Sequence, residues 1–70
     1  MKNKVLIHEP YQKLKGLIRE NGLTYDDLAL VLGVAKSTIS MKINGQSDFS
    51  LSEAKVIQQH YKVGPEIFLN

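Results

Sequence analysis

Between Lys36 and Asn44 the chain sets Ser37, Thr38, Ser40, Met41 and Lys42 around two branched apolar residues, Ile39 and Ile43. At about 100° per residue, Ile39 and Ile43 share one face of a helix. The opposite face carries Ser37, Met41 and Asn44, with Ser40 and Thr38 at its margins. Such residues do recognition chemistry rather than bond-breaking chemistry. The short hydroxyls can donate to or accept from phosphates and base edges, and Lys36 near the helix start can reach a phosphate or the O6 and N7 of guanine. Met41 is apolar on an outer face and suits a thymine methyl group. The plainer alternative is a solvated surface, where Ser and Thr usually sit and a single exposed Met needs no partner. The elements on either side decide between the two.

Bond-breaking chemistry lacks its residues. His8 and His60 are the only histidines, far apart in sequence, with no carboxylate at a metal-binding spacing. Asp26 and Asp27 point apart on a helix, and the helix dipole explains them at an amino-terminal turn. The chain has no cysteine, which excludes disulfides and thiolate metal sites. No serine has an obvious base partner, and no glycine-rich phosphate loop is present. The expectation is a protein that is not an enzyme and holds no cofactor and no metal.

Seventy residues suffice for one small domain, and a 43% apolar content is normal for a packed one. Without disulfides the core must hold the fold alone, in keeping with a reducing, cytoplasmic setting. No apolar run approaches a membrane span, and the start does not read as a signal peptide. A membrane-surface role would need a basic amphipathic helix over residues 1–19, which Pro10 interrupts. The net charge of +2 is too small to argue for nucleic acid, so its distribution matters more. Residues 1–19 hold Lys2, Lys4, Lys13, Lys15 and Arg19 against Glu9 alone, whereas residues 20–35 hold Glu20, Asp26 and Asp27 with no base. Lys36 and Lys42 then bracket a segment with no acid until Asp48. An ordinary solvated surface accounts for this pattern equally well.

Periodicity and punctuation predict an all-α fold, a compact bundle of five helices over residues 10–70, preceded by an arm over residues 1–9. The first helix spans about Pro10 to Asn21, with Tyr11, Leu14, Leu17 and Ile18 inward and Gly22 as its stop. The second spans Tyr25 to Leu32, capped by Thr24 with Asp27 completing a capping box. Gly33 sits where the chain must reverse, which suits a positive φ. The third spans Lys36 to Ile43 and ends at Asn44-Gly45. Ser50 and Glu53 form a second capping box and open a fourth helix to about Tyr61, with Leu51, Ala54, Ile57 and Tyr61 inward. Gly64-Pro65 starts a short fifth helix ending at Ile67-Phe68. Lys4 to His8 reads as a short strand or as an arm that orders only with a partner.

Together these features resemble the Cro/phage-repressor helix-turn-helix family, also called the XRE-type regulators, over residues 11–69. The residues that carry the resemblance are Leu14, Thr24, Leu28-Ala29, Gly33-Val34, Ser37-Thr38-Ile39-Ser40, Asn44-Gly45 and Tyr61-Lys62-Val63 before Pro65. The LKGLI start and the SMKINGQSDFS segment are most similar to small prophage regulators of Gram-positive bacteria. The resemblance implies a partner, double-stranded DNA, with the third helix in the major groove and the second across the backbone. By position it places Lys36, Ser37, Ser40 and Met41 at base edges, and Thr24, Tyr25, Thr38, Lys42, Asn44 and Gln46 at the DNA backbone. It also implies a transcriptional repressor acting at a near-palindromic operator as a homodimer, using the Val63–Leu69 end or the Val5-Leu6-Ile7 arm of this domain. A second role open to the family is that of an antitoxin or protein-interaction module. Three positions depart from the family pattern. Ala35 replaces the Ser or Thr that usually caps the third helix, Lys42 stands where a large apolar residue is often buried, and Tyr25 stands where glutamine usually meets a phosphate.

Overall fold

The structure, a computed structural model, describes residues 6–69. The fold is punctuated by two reciprocal caps. Asp27 donates its backbone N–H to Thr24 Oγ1 at 3.2 Å, and Thr24 returns its own N–H to the Asp27 carboxylate at 2.7 Å. This box satisfies two amides that a helix start otherwise leaves unpaired, and it opens α2 (Tyr25–Leu32). Ser50 and Glu53 repeat the arrangement at the start of α4 (Leu51–Tyr61), with bonds of 3.1 and 2.9 Å. Gly33 ends α2 in the left-handed region at φ 71°, where a Cβ would be strained. Val34 then donates its N–H to the Ala29 carbonyl at 3.0 Å, and α3 (Lys36–Asn44) begins after Ala35 without any side-chain cap.

α1 (Gln12–Glu20) starts later than the Pro10 expected from the sequence. Tyr11 takes φ −80° and ψ 88°, and its N–H is committed to the Ile43 carbonyl at 3.0 Å. Tyr11 is thus the residue just before the helix, and its carbonyl accepts the Lys15 N–H at 3.0 Å. The expected five α-helices are four. The last element, Pro65–Phe68, is a 3₁₀ turn. Pro65 brings no N–H, and extended backbone at Gly64 and Leu69 confines the element to four residues, so it closes by a tight Leu69 N–H to Glu66 carbonyl bond of 3.0 Å. No strand occurs among the described residues. Residues 6–9 form an arm held by the Ile7 N–H on the Gly45 carbonyl at 2.7 Å. The rest of the expected arm, residues 1–5, lies outside the described residues.

α2 lies against both α3 and α4, and α1 lies against the closing turn. Their common core is Tyr11, Leu14, Ile18, Leu28, Ala29, Ile39, Ile43, Ile57 and Ile67. Leu14, Leu28, Ile39, Ile43 and Ile57 have no solvent exposure, and each contributes roughly 1.5–3 kcal/mol by burial. Phe49 packs on this core, as its lone apolar position in a polar loop suggests. Leu51 does not join it. As the first residue of α4 it points outward and is 76% exposed.

Candidate nucleic-acid interface

α3 is amphipathic across its short axis. Ile39 and Ile43 are fully buried, while Lys36, Ser37 and Met41 are exposed and Thr38 and Ser40 are half-buried. The outer flank is therefore open to a partner. Met41 is 44% exposed, an apolar group placed among hydroxyls rather than in a patch of its own. Lys36 projects from the first turn, with its ammonium 4.0 Å from Asp26 on α2. Both side chains are largely solvated, so the pair is weak and readily exchanged for another anion.

At the other end of α3 the polar side chains are engaged within the protein. Asn44 Nδ2 donates to the Ser40 carbonyl at 2.9 Å and lies 3.5 Å from Ser40 Oγ. The Met41 carbonyl accepts the N–H groups of Gln46 and Ser47 at 2.9 and 3.2 Å, and Gly45 caps the helix at φ 98°. The resemblance places Lys42 at the DNA backbone. In the structure its ammonium donates to Glu53 Oε1 at 2.6 Å, with the side chains only 16% and 20% exposed. The Lys42 bond and charge, with the Ser50 amide and hydroxyl, outweigh the upward push of burial and hold the Glu53 carboxyl below its usual pKa. On α2, Thr24 is exposed but its hydroxyl belongs to the cap, and Tyr25 packs half-buried on the core. Gln46 sits half-buried in the turn that follows α3.

Beside this turn lies a cluster that the sequence did not announce. His8 Nε2 is 2.8 Å from the Ser47 carbonyl and 3.5 Å from Asp48 Oδ1, and Nδ1 is 2.7 Å from the Glu9 carbonyl. The imidazole stacks on Tyr11 at 4.1 Å between ring centres. Tyr11 donates its hydroxyl to Asp48 at 2.6 Å, and burial together with that bond pushes its pKa up to about 12. A Cβ at Gly45 would run into the His8 carbonyl, so the arm and the turn after α3 meet backbone to backbone. Gly45 at the end of a helix was the sole hint in the sequence, since the partners are 39 residues apart.

A family model described as a helix-turn-helix matches residues 14–68. No curated protein and no solved structure shows a significant match. The matched span takes in all of α2, the Gly33 turn and the open flank of α3, and the chain belongs to the Cro/phage-repressor (XRE-type) helix-turn-helix family of DNA-binding regulators.

Proposed function

We propose that the domain reads double-stranded DNA with α3 in the major groove, presenting Lys36, Ser37, Ser40 and Met41 to base edges. Thr24, Tyr25, Thr38, Asn44 and Gln46 lie along the sugar-phosphate backbone in this reading. The observation that carries it is the division of α3, which buries Ile39 and Ile43 completely and leaves Lys36, Ser37 and Met41 outside. The chain is then a non-catalytic repressor of phage or prophage type that works in the cytoplasm by occupying an operator. Its role as a repressor rests on family analogy.

A homodimer on a near-palindromic site doubles this small contact, with half-sites about 34 Å apart. Leu51, 76% exposed, lines a groove between α4 and the closing turn, and Leu69 is 61% exposed; such apolar surface suits a second copy. The same exposure supports the alternative of an antitoxin or protein-interaction module. Co-purification of a different protein at fixed stoichiometry, with no DNA preference, is the result that favours it.

The test is selection of bound sites from random duplex DNA at two salt concentrations. We expect a two-fold-related consensus and a salt slope of about −3 to −4 per half-site if three or four phosphates are neutralised. Replacing Lys36 or Ser40 by Ala should relax preference at one base position, by about 1–3 kcal/mol. Equal losses on selected and random DNA for every α3 variant would refute base reading by this helix.

A further inference from the structure

We propose that Lys42 is a positioning residue for DNA recognition: its ion pair with Glu53 fixes the angle at which α3 leaves the domain, and its ammonium is not a phosphate contact. The inference rests on the DNA-binding reading above. A lysine that grips a phosphate keeps a solvated head on a mobile stem. The Lys42 head is shielded instead, 2.6 Å from Glu53 Oε1 and 5.8 Å from the centre of the Phe49 ring.

Its partner is fixed as well. Glu53 Oε1 also accepts the Ser50 N–H at 2.9 Å, and the Glu53 amide donates to Ser50 Oγ at 3.1 Å. Glu53 therefore cannot follow Lys42 outward without opening the cap of α4. Withdrawing Lys42 toward DNA would leave a shielded carboxylate without its cation, which is costly.

The location gives the pair its purpose. α2 packs against α3 and against α4, so the Lys42–Glu53 bond closes the third side of a triangle of helices. The apolar contacts at Ile39, Ile43 and Ile57 attract without direction, and ridges of this size can slide and pivot. A short charge-assisted hydrogen bond has a preferred distance and angle. Hydrogen bonds to base edges tolerate displacements of only about 0.5 Å, so a tie at the rear of α3 bears on what Lys36 and Ser40 can reach at the front.

The experiment uses the full chain, the site selected from random DNA and a random duplex, each over a salt series at a temperature where circular dichroism shows every variant folded. Removing a lysine that neutralises a phosphate flattens the salt slope by about 0.9. Lys42→Met keeps the apolar stem and removes the charge. It should leave the slope unchanged and reduce the preference for the selected site roughly tenfold. Glu53→Gln should reduce that preference similarly, and the double variant should be little worse than either single one, as expected of coupled partners.

Two results would overturn the assignment. One is a Lys42→Met slope flattened by about 0.9, together with tighter binding of all DNA by Glu53→Gln, whose freed lysine would then be gripping phosphate. The other is an unchanged site preference in both variants, which would make the pair a matter of stability alone. A wild-type chain with no site preference would remove the DNA reading and this inference with it, and that outcome is visible before any variant is measured.

Discussion

The two ends of α3 use the same residue types for opposite purposes. At the amino-terminal end, Ala35 supplies no side-chain cap, Ser37 is exposed, and Lys36 touches Asp26 only loosely at 4.0 Å. At the carboxyl-terminal end, Lys42 is ion-paired at 2.6 Å, Asn44 folds back on Ser40, and Ile43 is buried while its carbonyl holds the Tyr11 N–H. The arm then docks on the Gly45 carbonyl through Ile7. One end is anchored so that the other can be presented. A lysine on a helix is therefore not a DNA contact by type; the neighbour within reach decides.

If that contrast is real, the largest effect of substitution should fall on the anchored end. Ile43→Ala removes a residue with no solvent exposure and should cost about 2–5 kcal/mol in urea unfolding. Ser37→Ala at the open end should stay within about 0.5 kcal/mol while still altering DNA preference. Similar losses at both positions would break the comparison.

Gly45→Ala should come next. The residue has φ 98°, and a new Cβ would meet the His8 carbonyl. We expect a loss above about 1 kcal/mol, with faster amide exchange at Ile7 as the arm lifts. Gly22→Ala, also at positive φ but with open space around its Cβ, should share the backbone strain and leave the exchange of Ile7 unchanged.

The smallest effect concerns pH. Burial lowers the pKa of His8, but the Glu9, Ser47 and Lys42 carbonyls and the Asp48 carboxylate outweigh it, and the net shift is upward from 6.5. The chemistry is simple: a neutral imidazole has one N–H to offer to two carbonyls, and imidazolium has two. With the folded pKa above the unfolded one, the His8 contribution is fully present below about pH 6.5 and fades as pH rises through the raised value. The melting temperature should therefore decline modestly over that upper interval, and His8→Gln should remove the decline. Proton NMR titration of His8 gives the pKa directly, and a value at or below 6.5 would contradict this account of its contacts.

Much of this fold was legible because its signals are local. The capping boxes at Thr24-Asp27 and Ser50-Glu53, and the left-handed turn at Gly33, involve residues within one turn of each other. The missed features are those that depend on residues distant in sequence. Tyr11 sits just outside α1 with its N–H on Ile43, Leu51 kept its helical spacing yet faces solvent, and Pro65 with extended backbone at Leu69 limits the last element to a 3₁₀ turn. At the candidate interface the open flank of α3 followed from periodicity. The ties of Lys42 to Glu53 and of His8 to Ser47 span 11 and 39 residues, respectively, and no local pattern encodes them.

The most direct test of α3 as the reading element is an NMR titration of the labelled chain with the selected duplex. The amide shifts of Lys36, Ser37, Ser40 and Met41 should move most, followed by those of Thr24 and Tyr25, with Val56 and Lys55 on α4 nearly still. Large shifts confined to α4 and the closing turn, with Lys36 to Met41 unmoved, would contradict it.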